Sequence, residues 1–266
     1  MKKTIIKLSV VAMLATSGIA NAGVLGFNAG IGGGIFNNDA PTGTYSDGVN
    51  EPLDLVDTLN LEAVSSYYVW GYVEHPIPLL PNIRLEMNQD KYEGTTPLSL
   101  DVLGKTFNND VSTVLDLSSN DLIFYWGVPL TGIMSTVTPL VDYDLDFGIG
   151  IKQYTGEFSI TDQLGAASVT QDLSDAILGY GYLKGRVEAF GAGVEAQIKY
   201  ASYLDNTFSE YSVKADYVIP VTPIIDVGVE IGYKQTDLTI DVDSGDYKIQ
   251  TDLSTNGLFF GGFVKF

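Results

Sequence analysis

A lone histidine, a ladder of aspartates and a run of glycines are the parts of this 266-residue sequence that invite chemistry. His75 would be the proton relay of a Ser-His-Asp hydrolase. It opens the segment His75-Pro76-Ile77-Pro78-Leu79-Leu80-Pro81, however, and a proline-rich turn points to a structural histidine. Asp142, Asp144 and Asp146 stand at every second position, which suits an acid/base pair or an ion path if they share a face with other carboxylates. The run Asp241-Val242-Asp243-Ser244-Gly245-Asp246 has the composition of a Ca²⁺ loop but lacks EF-hand spacing and its distal Glu, so a hairpin turn is expected. Gly30, Gly32, Gly33 and Gly34 are followed by no Lys-Ser/Thr, which argues against a phosphate loop and for space beside bulky neighbours. Cysteine is absent, which removes thiolate metal sites and disulfides. No catalytic, cofactor or metal residue is assigned, and the sequence reads as a protein that is not an enzyme.

The elements that carry these residues have period two. Ile225, Val227, Val229, Ile231 and Tyr233 alternate with Asp226, Gly228, Glu230, Gly232 and Lys234. Val141 to Ile151 alternate with Asp142 to Lys152 in the same way, and Tyr211 to Ile219 with Glu210 to Val218. Shorter copies oppose Ile83, Leu85 and Met87 to Arg84, Glu86 and Asn88, and Val194 to Tyr200 to Glu195, Gln197 and Lys199. Each is a strand with one apolar and one polar face. In this register Arg84, Glu86, Asp142, Asp144, Asp146, Lys152, Glu195, Lys199, Lys214, Asp216, Asp226, Glu230 and Lys234 project together. If the sheet closes, they fill its lumen with cross-strand ion pairs.

Residues 1–22 run from Lys2, Lys3 and Lys7 through an apolar stretch to Ala20-Asn21-Ala22, the order of a bacterial secretory signal peptide. The expected mature unit is 23–266. Within it, no apolar run approaches the ~18 residues of a membrane-spanning helix, so a membrane would have to be crossed by strands. The chain holds 14 basic against 33 acidic side chains, which disfavours nucleic acid. Divalent cations are the small partners its acidic loops would attract.

A soluble sandwich alternates as well; the C-terminal segment GLFFGGFVKF decides between the two. Leu258, Phe260, Val264 and Phe266 share a phase, which resembles the assembly signal of Gram-negative outer-membrane barrels. That last strand must pair with the first to remove the sheet edges. The expectation is an all-β, closed, antiparallel, up-and-down transmembrane barrel of ten strands, with eight or twelve as alternatives. The strands are placed at 24–36, 62–75, 82–93, 120–127, 141–156, 175–189, 193–203, 208–219, 224–241 and 247–266. Turns at 76–81, 190–192 and 220–223 face the periplasm, loops at 37–61, 94–119 and 157–174 face outward, and 128–140 is either a long turn or part of a hairpin. The triplets Asp116-Leu117-Ser118, Asp172-Leu173-Ser174 and Asp252-Leu253-Ser254, with a looser Asn60-Leu61-Glu62, precede descending strands. Trp70 and Trp126 are expected in a periplasmic aromatic girdle.

The HPIPLLPNIRLEM segment, the repeated Asp-Leu starts and Gly261-Gly262 together resemble a family of small bacterial outer-membrane β-barrel proteins with a C-terminal Gly-Gly motif. The resemblance implies fold and location only. It implies outer-membrane lipid and lipopolysaccharide as surroundings, and the barrel-assembly machinery as a partner of the C-terminal strand. The function read from the sequence is a non-enzymatic structural or surface-interaction role. A narrow pore for small solutes or a hydrophobic compound, and a carboxylate-dependent rim enzyme, are the alternatives.

Overall fold

The computed structural model describes residues 26–47, 50–77, 79–97, 100–102, 105–107, 109–128, 141–164, 167–174, 176–243 and 248–266. The expected signal peptide and most of 128–140 lie outside them. Ten long strands form the barrel: β1 (Asn28–Asn38), β2 (Ser66–Glu74), β3 (Asn82–Gln89), β4 (Ser119–Val128), β5 (Val141–Tyr154), β6 (Ile177–Ala189), β7 (Ala192–Tyr203), β8 (Asn206–Thr222), β9 (Ile225–Asp243) and β10 (Lys248–Lys265). Each pairs antiparallel with the next, and β1 pairs with β10, so the sheet closes up-and-down with no free edge. Phe266 extends the closure: its amide donates to Ala29 O at 2.8 Å and its carbonyl accepts from Ala29 N.

Period two sorts the side chains. On β5, Phe147, Ile149 and Ile151 are exposed while Asp146 and Lys152, at the alternate positions on either side of them, are buried. On β9 and β10, Val229, Ile231, Leu258 and Phe260 point outward, as Glu230, Phe259 and Phe263 point in. Water would penalise such a continuous apolar belt at roughly 25 cal/mol per Å². Hydrocarbon does not, so the belt is a lipid face and the chain is a transmembrane β-barrel. Closed barrels of this kind are the outer-membrane solution to spanning with strands, and the location follows.

The seam is built from glycine. Gly33 faces Gly262 and Gly34 faces Gly261 where β1 meets β10. A Cβ at Gly32 would lie 2.6 Å from Trp70 Cζ2, and one at Gly30 2.7 Å from Tyr72 Cε1. Small residues on β1 therefore make room for large rings on β2, the small/large complementarity of a filled barrel.

On the outer side, β8, β9 and β10 run 17, 19 and 18 residues, well past the roughly 9–11 that cross hydrocarbon. The opposite wall breaks and continues as a separate five-stranded sheet of Ser168–Asp172, Glu157–Asp162, Val111–Asp116, Lys91–Thr96 and Glu62–Ala63. This sheet, with Thr42–Ser46 paired to β10, encloses a core that includes Tyr45, Leu55, Leu59, Tyr92, Phe158 and Ile160. Leu238 on β9 and Leu253 on β10 join it. The barrel thus carries an apolar cap. Gly94 admits it: a Cβ there would meet the carbonyls of Leu59 and Asn60.

The repeated triplets mark the joint between barrel and cap. Asp116 Oδ1 accepts the Ser118 amide at 2.9 Å and Asp172 Oδ1 the Ser174 amide at 2.7 Å. These are Asx turns that kink the chain. Leu61 and Leu253 are buried in the cap core, with Leu117 and Leu173 packed against it. Asp252-Leu253-Ser254 does not begin a strand, contrary to expectation, because β10 already starts at Lys248 and runs straight through.

Candidate functional site: a charged lumen with a vestibule

The lumen is where the polar faces converge. Of the residues expected there, Arg84, Glu86, Asp146, Lys152, Glu195, Lys199, Asp216 and Glu230 are buried. Lys214 and Lys234 are mostly buried, Asp226 is half-buried, and Asp142 and Asp144 lie open at the periplasmic mouth.

Two knots hold the interior. In the upper one Lys199, 0% exposed, reaches Glu86 at 2.6 Å, Glu210 at 2.7 Å and Asp121 at 3.5 Å. Lys152 pairs with Asp121 at 2.8 Å and Glu210 at 3.3 Å, and Arg84 with Glu86 at 2.6 Å. The Tyr180 hydroxyl donates to Asp121 at 2.6 Å. Lys199 sits on β7 and Glu86 on β3, four strands apart in the ring, so this pair crosses the lumen rather than following the wall. In the lower knot Arg186 forms a fork with Asp216 and also holds Glu188 at 2.6 Å. Lys214 bridges Glu195 at 3.4 Å and Glu230 at 3.1 Å, while Lys184 pairs with Asp146 at 2.6 Å. Lys234 meets Asp90 at 3.3 Å near the cap. Buried charges held by several partners each are the arrangement in which ion pairs survive desolvation.

Trp70 corrects the girdle assignment. Its indole points into the lumen, donates to Glu230 Oε1 at 2.8 Å, and lies under Lys214 at 4.9 Å and Arg84 at 5.1 Å. The reason is that both faces of β2 are aromatic or apolar, so hydropathy does not fix its parity. The polar tips of Ser66, Tyr68, Trp70 and Tyr72 need partners, and those are inside. Gly261, inward on β10, leaves room for the Tyr68 hydroxyl, which donates to the same Glu230 at 2.8 Å. Trp126 faces outward near the periplasmic end of β4, stacked on Phe147, with its indole donating to Leu79 O at 3.1 Å. Leu258, Phe260 and Val264 lie on the lipid face of β10, and Phe266 completes its pairing with β1.

Asp121, Lys184, Arg186, Glu188 and Glu210 belong to the lumen without having been singled out from the sequence. Lys184, Arg186 and Glu188 alternate with Leu183 and Val187, so the same period-two rule identifies them. Asp121 is a single acid in an aromatic strand and carries no such signal.

His75 remains in the β2–β3 turn. Pro81 O can only accept and the Ile77 amide can only donate, so the Nε2-protonated ring satisfies both, at 3.1 and 3.3 Å. Among the described residues no group of three or more His, Cys, Asp or Glu is arranged to hold a metal ion. Part of the Asp241–Asp246 run lies outside those residues.

Among the described residues space remains along the lumen and at its mouth. Voids of ≈ 20 Å³ beside Lys152 and Tyr154, and ≈ 60 Å³ beside Glu86 and Glu230, are of water size. At the periplasmic mouth a vestibule of ≈ 270 Å³ is lined by Trp70, Tyr72, Phe263 and charges of both signs.

No protein-family description and no curated protein matches the sequence. Among solved structures the chain is similar to the outer-membrane protease OmpT of Escherichia coli, with 12% identity, TM-score 0.44, and coverage of 90% of this chain and 96% of that one. It is also similar to the outer-membrane protein OprG of Pseudomonas aeruginosa (12%, 0.33, 90% and 95%) and to neisserial surface protein A (12%, 0.30, 91% and 97%). These values are too low to carry an activity from any of them to this chain.

Proposed function

We propose that the protein is a non-enzymatic outer-membrane barrel whose lumen is a structural strut and whose role lies in its cap and outer loops. The observation that carries this reading is Lys199, fully buried and tied across the lumen to carboxylates on three strands. A conducting path would have to break those pairs, and a catalytic rim would need an unengaged acid or base at the outer mouth, where the apolar cap sits instead. The turn contacts of His75 support the same reading. The proposal includes lipopolysaccharide around the belt, the barrel-assembly machinery as reader of the β10 strand, and kinship with the Gly-Gly family. In support of that kinship, Gly261-Gly262 forms the closing seam.

The test is planar-bilayer recording and turnover assays on the refolded full chain. Wild type is expected to give no steady single-channel steps and no hydrolysis of lipids or peptides. Removing the upper knot with Lys152→Ala, Lys199→Ala and Glu210→Ala together is expected to introduce steps. Steady conductance of the wild type, or robust turnover, ends the proposal.

A further inference from the structure

We infer that the periplasmic vestibule is a binding site for a short zwitterionic peptide with free amino and carboxyl ends. Most charges around this cavity are engaged, Glu74 by hydrogen bonds from Asn28 and Tyr125 and the others in ion pairs, but three have no such partner among the described residues. Among the described residues Lys265 on β10 enters none of the ion pairs, and neither do Asp142 and Asp144 on β5, although all three line the cavity. Lys265 rests on the face of Phe263, at 5.2 Å. β5 and β10 stand five places apart in a ring of ten, so the unpaired ammonium and the unpaired carboxylates face each other across the mouth.

This polarity selects the ligand. A dianion is repelled by the aspartates and a dication by the lysine; a molecule with one of each fits both walls. Ten strands about 4.8 Å apart, tilted roughly 40°, close a ring about 20 Å across, and inward Lys and Asp side chains leave about 10 Å between their charges. A single amino acid, with both charges on one carbon, is too short to reach both. At ~3.5 Å per residue an extended chain of about three residues spans the gap. The cavity of ≈ 270 Å³ is of the size for it, and Trp70, Tyr72 and Phe263 give it an aromatic wall. The site depends on the mouth alone, so it goes beyond the strut reading and stands whether or not the lumen above it conducts.

The experiment is calorimetric titration of the full chain, refolded in detergent and checked by heat-modifiable mobility, with trialanine, its N-acetyl form and its C-terminal amide. Saturable one-site binding of trialanine is expected, weakened at least tenfold by either block. Lys265→Met should weaken trialanine at least tenfold and abolish the distinction between acid and amide. Asp142→Asn with Asp144→Asn should do the same for the distinction between amine and acetyl. Should Lys265→Met fail to fold, the aspartate variant at the open mouth decides alone. No binding by the folded wild type, equal binding of free and blocked peptides, or variants that lose affinity without losing the matching discrimination would overturn the inference.

Discussion

Replacing Lys199 by Met tests whether the buried network stabilises this barrel. The substitution keeps the stem and removes one charge from a site that is 0% exposed. Three carboxylates lose a partner, but none is left alone: Glu86 keeps Arg84 at 2.6 Å, and Asp121 and Glu210 keep Lys152 at 2.8 and 3.3 Å. The penalty is therefore that of one excess buried negative charge, about 3–5 kcal/mol, and not three times that. A companion change, Glu210→Gln, removes the excess, so Lys199→Met with Glu210→Gln should regain more than half of the loss. Equilibrium urea unfolding in lipid vesicles, followed by tryptophan fluorescence, measures all three proteins. A single variant as stable as wild type, or a double variant weaker than the single, would refute the network argument, because either result means that these charges are solvated despite their burial.

Three further outcomes are expected. Gly32→Ala places a Cβ against Trp70 and Phe263 and should cost about 1–3 kcal/mol by overpacking, whereas Gly179→Ala, with nothing within 4 Å of the new atom, should be near neutral; equal effects in vesicle unfolding would contradict the seam packing. Brominated lipid should quench Trp126 and spare Trp70, read on the Trp70→Phe and Trp126→Phe variants, and strong quenching of Trp70 would return it to the girdle. Burial, aided by the Asp47 charge, pushes the Tyr45 phenol in the cap up to about 12. An unfolded tyrosine ionises near pH 10, so this contribution to cap stability is complete below about pH 10 and is lost as pH rises toward 12. Proteolysis of the cap should accelerate over that window in wild type and less steeply in Tyr45→Phe, and identical profiles would remove Tyr45 as the cause.

Most of the barrel is legible because lipid outside and charge inside enforce an alternation that survives in β5, β8 and β9. The lumen assignments rest on that parity, and Asp146, Lys152, Lys199 and Glu230 show why it works: a strand with one apolar face leaves its charges only one place to go. The rule fails where both faces are greasy. On β2, Tyr67, Val69 and Val73 alternate with Tyr68, Trp70 and Tyr72, and the choice of face is made by hydrogen-bond partners on β9 and by glycines on β1, residues distant in sequence. Most of the cap reads as loops for a related reason, while Glu62–Ala63 and residues 91–93 read as ends of the barrel strands 62–75 and 82–93 but belong to the cap sheet. Its strands are five or six residues, or only two in the case of Glu62–Ala63, and their pairing is set by a shared core rather than by any local pattern.

The net charge of −19 looks like a property of the whole molecule, but the structure assigns it to one side. Apart from the three lysines of the expected signal peptide, eleven basic residues remain. Seven of them, Arg84, Lys152, Lys184, Arg186, Lys199, Lys214 and Lys234, are bound to lumen carboxylates, and Lys265 lines the vestibule. Only Lys91, Lys105 and Lys248 are left for the cap and the outer ends of the strands. Ion pairing thus nearly neutralises the interior, and the acidic surplus is concentrated on the outer face. That face carries a field that repels anionic head groups and attracts cations over about a Debye length. The composition of this chain is therefore two compositions, a balanced one that closes the lumen and an acidic one that meets the exterior, and the single net figure conceals both.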